Sequence, residues 1–103
     1  MRRGEIWWAD LPSPLGRRPA VLVSRDVAYA VRTSVTLVPL TTRRRGIPVE
    51  VPLQPGDGVP RACVANADNV LTVPTSRLIR VVGPLAPEKL RAVEDALRFA
   101  LAL

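Results

Sequence analysis

Residues 77–103 read RLIRVVGPLAPEKLRAVEDALRFALAL, and the spacing of their apolar positions changes at Pro87. From there Leu90, Val93, Leu97 and Leu101 recur at intervals of three and four, one face of a helix running from Pro87 to Leu103. Pro87 suits the first helical position, Glu88 suits the positive end of the helix dipole, and Leu85 can staple against Leu90 across the helix start. Arg91 with Asp95, and Glu94 with Arg98, are spaced to form ion pairs on the outer face.

Upstream of Pro87 the pattern is different. Eleven prolines are spread along the chain and cut most of it into short pieces. Residues 4–11 (GEIWWADL), 19–24 (PAVLVS), 34–40 (SVTLVPL), 49–53 (VEVPL), 62–66 (ACVAN) and 77–82 (RLIRVV) are brief runs rich in β-branched or aromatic residues, separated by turn formers. Pro39 and Pro52 have no N–H to donate, so their strands are expected at a sheet edge or at a bulge. Several short strands followed by one packed helix predict a mainly β fold with a C-terminal helix, a small β-barrel of the SH3-like kind, in a single domain over residues 1–103.

Composition removes whole classes of chemistry. With 48% hydrophobic and 23% charged residues the chain has the make-up of a folded globular protein. It contains no His, which excludes Ser-His-Asp and Cys-His nucleophilic machinery and His-paired acid–base catalysis. Its one Cys, Cys63, can hold neither a structural zinc nor an internal disulfide, and it lies in an apolar run that reads as core. No cofactor or metal site is expected. The longest stretch without a charge, Thr33 to Thr42, is about half a membrane span, and the charged first ten residues do not read as a signal peptide, so a cytoplasmic protein with no membrane association is expected.

Of the 15 basic residues only Lys89 is a lysine, so the net charge of +6 is almost wholly guanidinium. Guanidinium stays charged and grips phosphate bidentately, which points to nucleic acid or an acidic peptide as partner; a codon bias towards arginine is the plainer explanation for many of the individual residues. Three segments carry this chemistry. In GRRPAVLV (Gly16–Val23) a pair of arginines feeds directly into a buried strand, and a guanidinium at the mouth of a rigid strand has the fixed position that stabilising a transition-state charge requires. In VPLTTRRRG (Val38–Gly46) a strand ends in the hydroxyls of Thr41 and Thr42, followed by Arg43, Arg44 and Arg45, so hydroxyls and cations converge as they do on a phosphate backbone. In ANADNV (Ala65–Val70) Asn66, Asp68 and Asn69 offer donors and acceptors able to read unstacked bases, although the same residues are common turn formers. Trp7 and Trp8 are adjacent and on a strand point to opposite faces, so only one belongs to the core; the other packs at an edge, covers an interface or stacks a base.

The order of these motifs, RGEIWWADLP, GRRPAVLVSRD, SVTLVPLTTRRRGIPVEVPL, VANADNVLTVPTSRL, GPL and a closing helix, resembles the MazF/PemK family of toxin endoribonucleases from bacterial toxin–antitoxin modules over nearly the whole chain. The resemblance implies an SH3-like barrel acting as a homodimer, cleavage of single-stranded RNA at short sequences without a metal ion, and inhibition by a cognate antitoxin with an acidic C-terminal segment. It assigns catalysis to Arg18, before the Pro of the second strand, and to Thr41, at the end of the third. It places Asp68 and Asn69 on the family's recognition loop and Arg45 on its RG turn; Arg17, Thr42, Arg43 and Asn66, from the three segments above, complete the expected RNA contacts.

The chemistry agrees with that assignment, because RNA carries its own nucleophile: a 2′-OH that attacks the adjacent phosphate leaves a 2′,3′-cyclic phosphate and a 5′-OH end. Arg18 would neutralise the phosphorane-like charge while Thr41 holds a nonbridging oxygen. The first loop, LPSPLG (Leu11–Gly16), is short and uncharged where related toxins carry an acidic residue, which leaves Asp68 or solvent as proton acceptor. Two other functions fit the same fold: a non-enzymatic toxin that binds a protein target, as the CcdB family does, and a plain RNA-binding module.

Overall fold

The computed structural model describes residues 1–103. Strands β1 (Glu5–Leu11) and β2 (Gly16–Leu22) form a hairpin, the short helix α1 (Ala28–Val31) leads into β3 (Ser34–Thr41), and β4 (Glu50–Leu53) and β5 (Cys63–Asn66) form a second antiparallel pair. Strands β6 (Leu71–Pro74) and β7 (Leu78–Pro84) precede helix α2 (Pro87–Leu101). Neighbours run β4-β5-β3-β2-β1-β7, with β6 also on β3, and every pairing is antiparallel. The mainly β architecture with a C-terminal helix is as expected, but the barrel stays open, because β4 and β7 end the sheet without pairing to each other.

The strand alternation sorts side chains onto two faces. Ile6, Val21, Val38 and Leu53 join Val93 and Ala96 of α2 in one buried cluster, so the helix covers that face. Ala20, Leu22, Val35 and Leu37 join Ala9, Leu11 and Val73 in a second, against which Trp7, Leu15 and Tyr29 pack. Each fully buried Leu, Ile or Val removes apolar surface worth about 1.5–3 kcal/mol from water. The start of α2 is held as its sequence predicts: Pro87 is in its first turn, Leu85 is buried, and Leu90 packs on the same cluster.

The prolines sit where the ladder can spare a donor. Pro52 is in β4, an edge strand. Pro39 lies in a central strand, between the rungs that join β3 to β6 (Ser34 to Leu37) and those that join it to β5 (Leu40 and Thr41). The interruption is thus a change of partner rather than an edge. Ion pairing on α2 departs from the local rule: Asp95 pairs with Arg98 at 2.9 Å, while Glu94 reaches across the fold to Arg3 at 2.8 Å. Arg3 also donates to the carbonyl of Val23, so this guanidinium ties the N-terminus to both sheet and helix.

Glycine is required at Gly58, which has φ +110° and whose absent Cβ would lie 2.5 Å from the carbonyl oxygen of Pro84. This close approach packs the 55–57 turn against the end of β7.

Candidate active site

The pairing of β2 with β3 ends at Ala20 opposite Pro39. Beyond that rung β3 turns away to pair with β5, through Leu40 with Ala65 and Thr41 with Val64, and the two strands splay. Arg18 lies two residues before Ala20 and Thr41 two residues after Pro39, so they face each other across the mouth of the splay. Both line a cleft of about 250 Å³, together with their neighbours Arg17 and Thr42.

Arg18 is half-buried and held at two points: its Nε donates to the Leu15 carbonyl at 2.7 Å and its Nη1 to the Leu40 carbonyl at 3.4 Å. Two carbonyl anchors fix the plane of the guanidinium and leave Nη2 uncommitted, a rigid cation with a free edge. Thr41 is likewise constrained. Its Oγ1 accepts the Arg43 N–H at 3.2 Å, which occupies a lone pair and leaves the hydroxyl proton to be donated elsewhere.

Trp8, Pro19, Leu40, Pro60, Arg61 and Cys63 complete the lining. Trp8 stands opposite Pro19 across the β1–β2 ladder, and the Arg80 guanidinium lies 5.6 Å from its ring centroid, a cation–π geometry. Of the adjacent tryptophans, Trp7 is thus the one that packs on the core and Trp8 the one that faces the cleft. Cys63 refines the sequence reading: it packs on the core cluster as expected but is only half-buried, its other side lining the cleft, and burial raises its thiol above the ordinary 9.0. No carboxylate lines the cleft. Pro60 and Arg61 escaped the sequence reading, and which tryptophan leaves the core stayed open in it, because these residues enter the site through tertiary packing alone.

The remaining predicted site residues stand outside this lining. Arg43 and Arg45 are exposed on the β3–β4 loop that leaves the cleft at Thr42. Asn66 is buried, and its Oδ1 accepts the Asp68 N–H at 3.0 Å, so it shapes the turn at 67–69 on which Asp68 and Asn69 are exposed. That turn packs against α2 and β3.

Comparison with known proteins gives three concordant results. Residues 2–101 match the family described as PemK-like, MazF-like toxin of type II toxin-antitoxin system. The chain is 40% identical over 100 residues to probable endoribonuclease MazF5 of Mycobacterium tuberculosis, covering 96% of this chain and 91% of that protein. It is 36% identical over 115 residues to endoribonuclease MazF9 of the same organism, covering 100% and 98%. Its fold superposes with TM-score 0.90 on a mycobacterial endoribonuclease solved in complex with its cognate antitoxin, at 32% identity over 100% of this chain and 96% of that one. With MazF from the MazE-MazF complex of Deinococcus radiodurans the TM-score is 0.82, at 26% identity over 99% and 96%.

Proposed function

The chain belongs to the PemK-like, MazF-like toxins of type II toxin–antitoxin systems and is an endoribonuclease of that family, and on that premise we propose that the Arg18–Thr41 cleft is where it cuts single-stranded RNA. The observation that carries this reading is the splay of β2 from β3, which puts an anchored cation and an oriented hydroxyl on opposite lips of one cleft.

The substrate 2′-oxygen attacks the adjacent phosphorus, the bond to the 5′-oxygen breaks, and a 2′,3′-cyclic phosphate and a 5′-OH end result. With no carboxylate in the lining, water takes the 2′-OH proton and water supplies the proton to the leaving oxygen. The free edge of Arg18 meets the charge that grows on the phosphorane, while Thr41 donates to a nonbridging oxygen. Arg18 acts through charge rather than as an acid, since a guanidinium with a pKa above about 12 releases its proton poorly. Charge stabilisation by a resident cation is what a metal ion would otherwise supply, so the reaction is metal-independent in this reading. Arg17, Arg43 and Arg45 hold the backbone on either side, and Asp68 and Asn69 read bases.

In the same reading residues 1–103 are one toxin domain, it acts in the cytoplasm, and a cognate antitoxin silences it by laying an acidic segment on the arginines that hold RNA. A homodimer is supported by exposed apolar side chains, Ile79 and Val81 on β7 and Phe99 and Leu101 on α2. Incubating a long RNA with the protein in EDTA, and mapping the new ends, tests the reaction. Cut products with 5′-OH ends are expected, and none from Arg18→Ala; intact RNA, or equal cutting by that variant, refutes the assignment.

A further inference from the structure

Glu50 is the one buried carboxylate in the molecule, and it stands beside three arginines without pairing to any of their guanidiniums. Its carboxylate turns instead to the backbone. Oε1 accepts the N–H of Arg45 at 2.9 Å and of Gly46 at 2.9 Å, and Oε2 accepts the Arg45 N–H at 3.2 Å. These charge-assisted bonds close the far end of the β3–β4 loop onto the first residue of β4. The near end is closed by the Arg43 N–H on Thr41 Oγ1. Burial alone would raise this carboxyl, but the amides of Arg45, Gly46 and Ile47 and the charge of Arg45 outweigh it, and its pKa lies below the ordinary 4.5.

We infer that Glu50 is a positioning residue for RNA capture: by fastening the loop through its amides it holds Arg43 and Arg45 ready with their guanidiniums unpaired. A glutamate that paired with those guanidiniums would cancel the charge that RNA needs. One that binds only the peptide groups orders the loop while the cations stay open to phosphate, and ordering the loop beforehand removes a cost otherwise met on binding. The glycine at the closure, Gly46 with φ +68°, is the conformation such a turn requires.

The inference rests on the reading that this loop binds RNA, and the test separates the two. In the full-length protein, Glu50→Ala is expected to raise KM for an RNA oligonucleotide by about five- to ten-fold with kcat within about two-fold, because pre-organisation is lost while the cleft is intact. Glu50→Gln, which keeps an amide-accepting Oε1, recovers most of the loss. Amide hydrogen exchange at Arg45 and Gly46 speeds up in Glu50→Ala and stays slow in Glu50→Gln. In an Arg43→Ala/Arg45→Ala background, Glu50→Ala adds nothing further to KM.

Unchanged exchange at those two amides overturns the clamp itself. So does tighter RNA binding by Glu50→Ala, or equal effects of Gln and Ala, since either makes Glu50 a counter-charge. If exchange responds as expected but Arg43→Ala/Arg45→Ala leaves KM unchanged, the loop is not an RNA contact, and the role in capture falls with that reading while the clamp stands as structure.

Discussion

The guanidinium of Arg18 donates to the carbonyl oxygen of Leu40, the residue that precedes Thr41. One hydrogen bond therefore spans the gap where β2 and β3 part, and the two groups assigned to the reaction are set by the same few atoms. Displacing either one disturbs the other.

Arg18→Lys is therefore expected to fail as a replacement. A lysine has no planar fork with which to hold the Leu15 and Leu40 carbonyls and still present a free edge, so kcat falls by about 100-fold or more while the far-UV circular dichroism is unchanged. Single-turnover cleavage of an oligonucleotide measures it.

Thr41→Val keeps the shape of the side chain and removes the hydroxyl. Its expected loss is about 10- to 100-fold in kcat, and Thr41→Ser, which keeps the oxygen that accepts the Arg43 N–H, should recover most of it. Equal rates for valine and serine would show that the hydroxyl takes no part.

Salt reports the arginines of the loop. Log(1/KM) should fall linearly with log salt, and Arg43→Ala/Arg45→Ala should make the slope shallower by roughly 0.7 for each phosphate no longer neutralised. A slope untouched by the double substitution would move RNA elsewhere on the surface.

Gly58→Ala tests packing away from the cleft. A Cβ there meets the Pro84 carbonyl oxygen at 2.5 Å with φ at +110°, and strain of about 1–3 kcal/mol lowers Tm by roughly 5–15 °C on thermal unfolding. Cleavage well below that Tm should be retained.

Cys63 should react slowly with iodoacetamide at neutral pH, and its rate should still be climbing with pH beyond 9.0, where an ordinary thiol levels off, because burial disfavours the thiolate. The folded protein holds this proton more tightly than the unfolded chain, so stability contributed at neutral pH declines as pH rises from 9.0 towards the folded-state value. Alkylation fills the cleft wall and should stop cleavage, and bound RNA should protect the thiol.

Much of this was legible in the sequence. The helix announced itself by period and by Pro87, and Thr41 could be named as a strand end, whereas Arg18, expected at the mouth of a strand starting at Pro19, lies inside β2, which already begins at Gly16. β6 was not, since Leu71–Pro74 is only four residues long and becomes a strand by pairing with Ser34–Leu37, far away in the chain. The partner of Glu94 was missed for a similar reason: helix spacing points to Arg98, but Arg3 arrives from the other end of the sequence. Glu50 was not singled out, since a glutamate between Val49 and Val51 carries no signal of burial; only the return of the loop onto it shows why it is buried.

Strand β3 is bonded to partners made both before and after it, β2 on one side and β5 and β6 on the other. A translation product that stops short of residue 63 lacks β5 and with it a wall of the groove, however intact its Arg18 and Thr41. For a cell carrying such a gene, a frameshift or stop codon anywhere in the first 62 codons is then enough to disarm it.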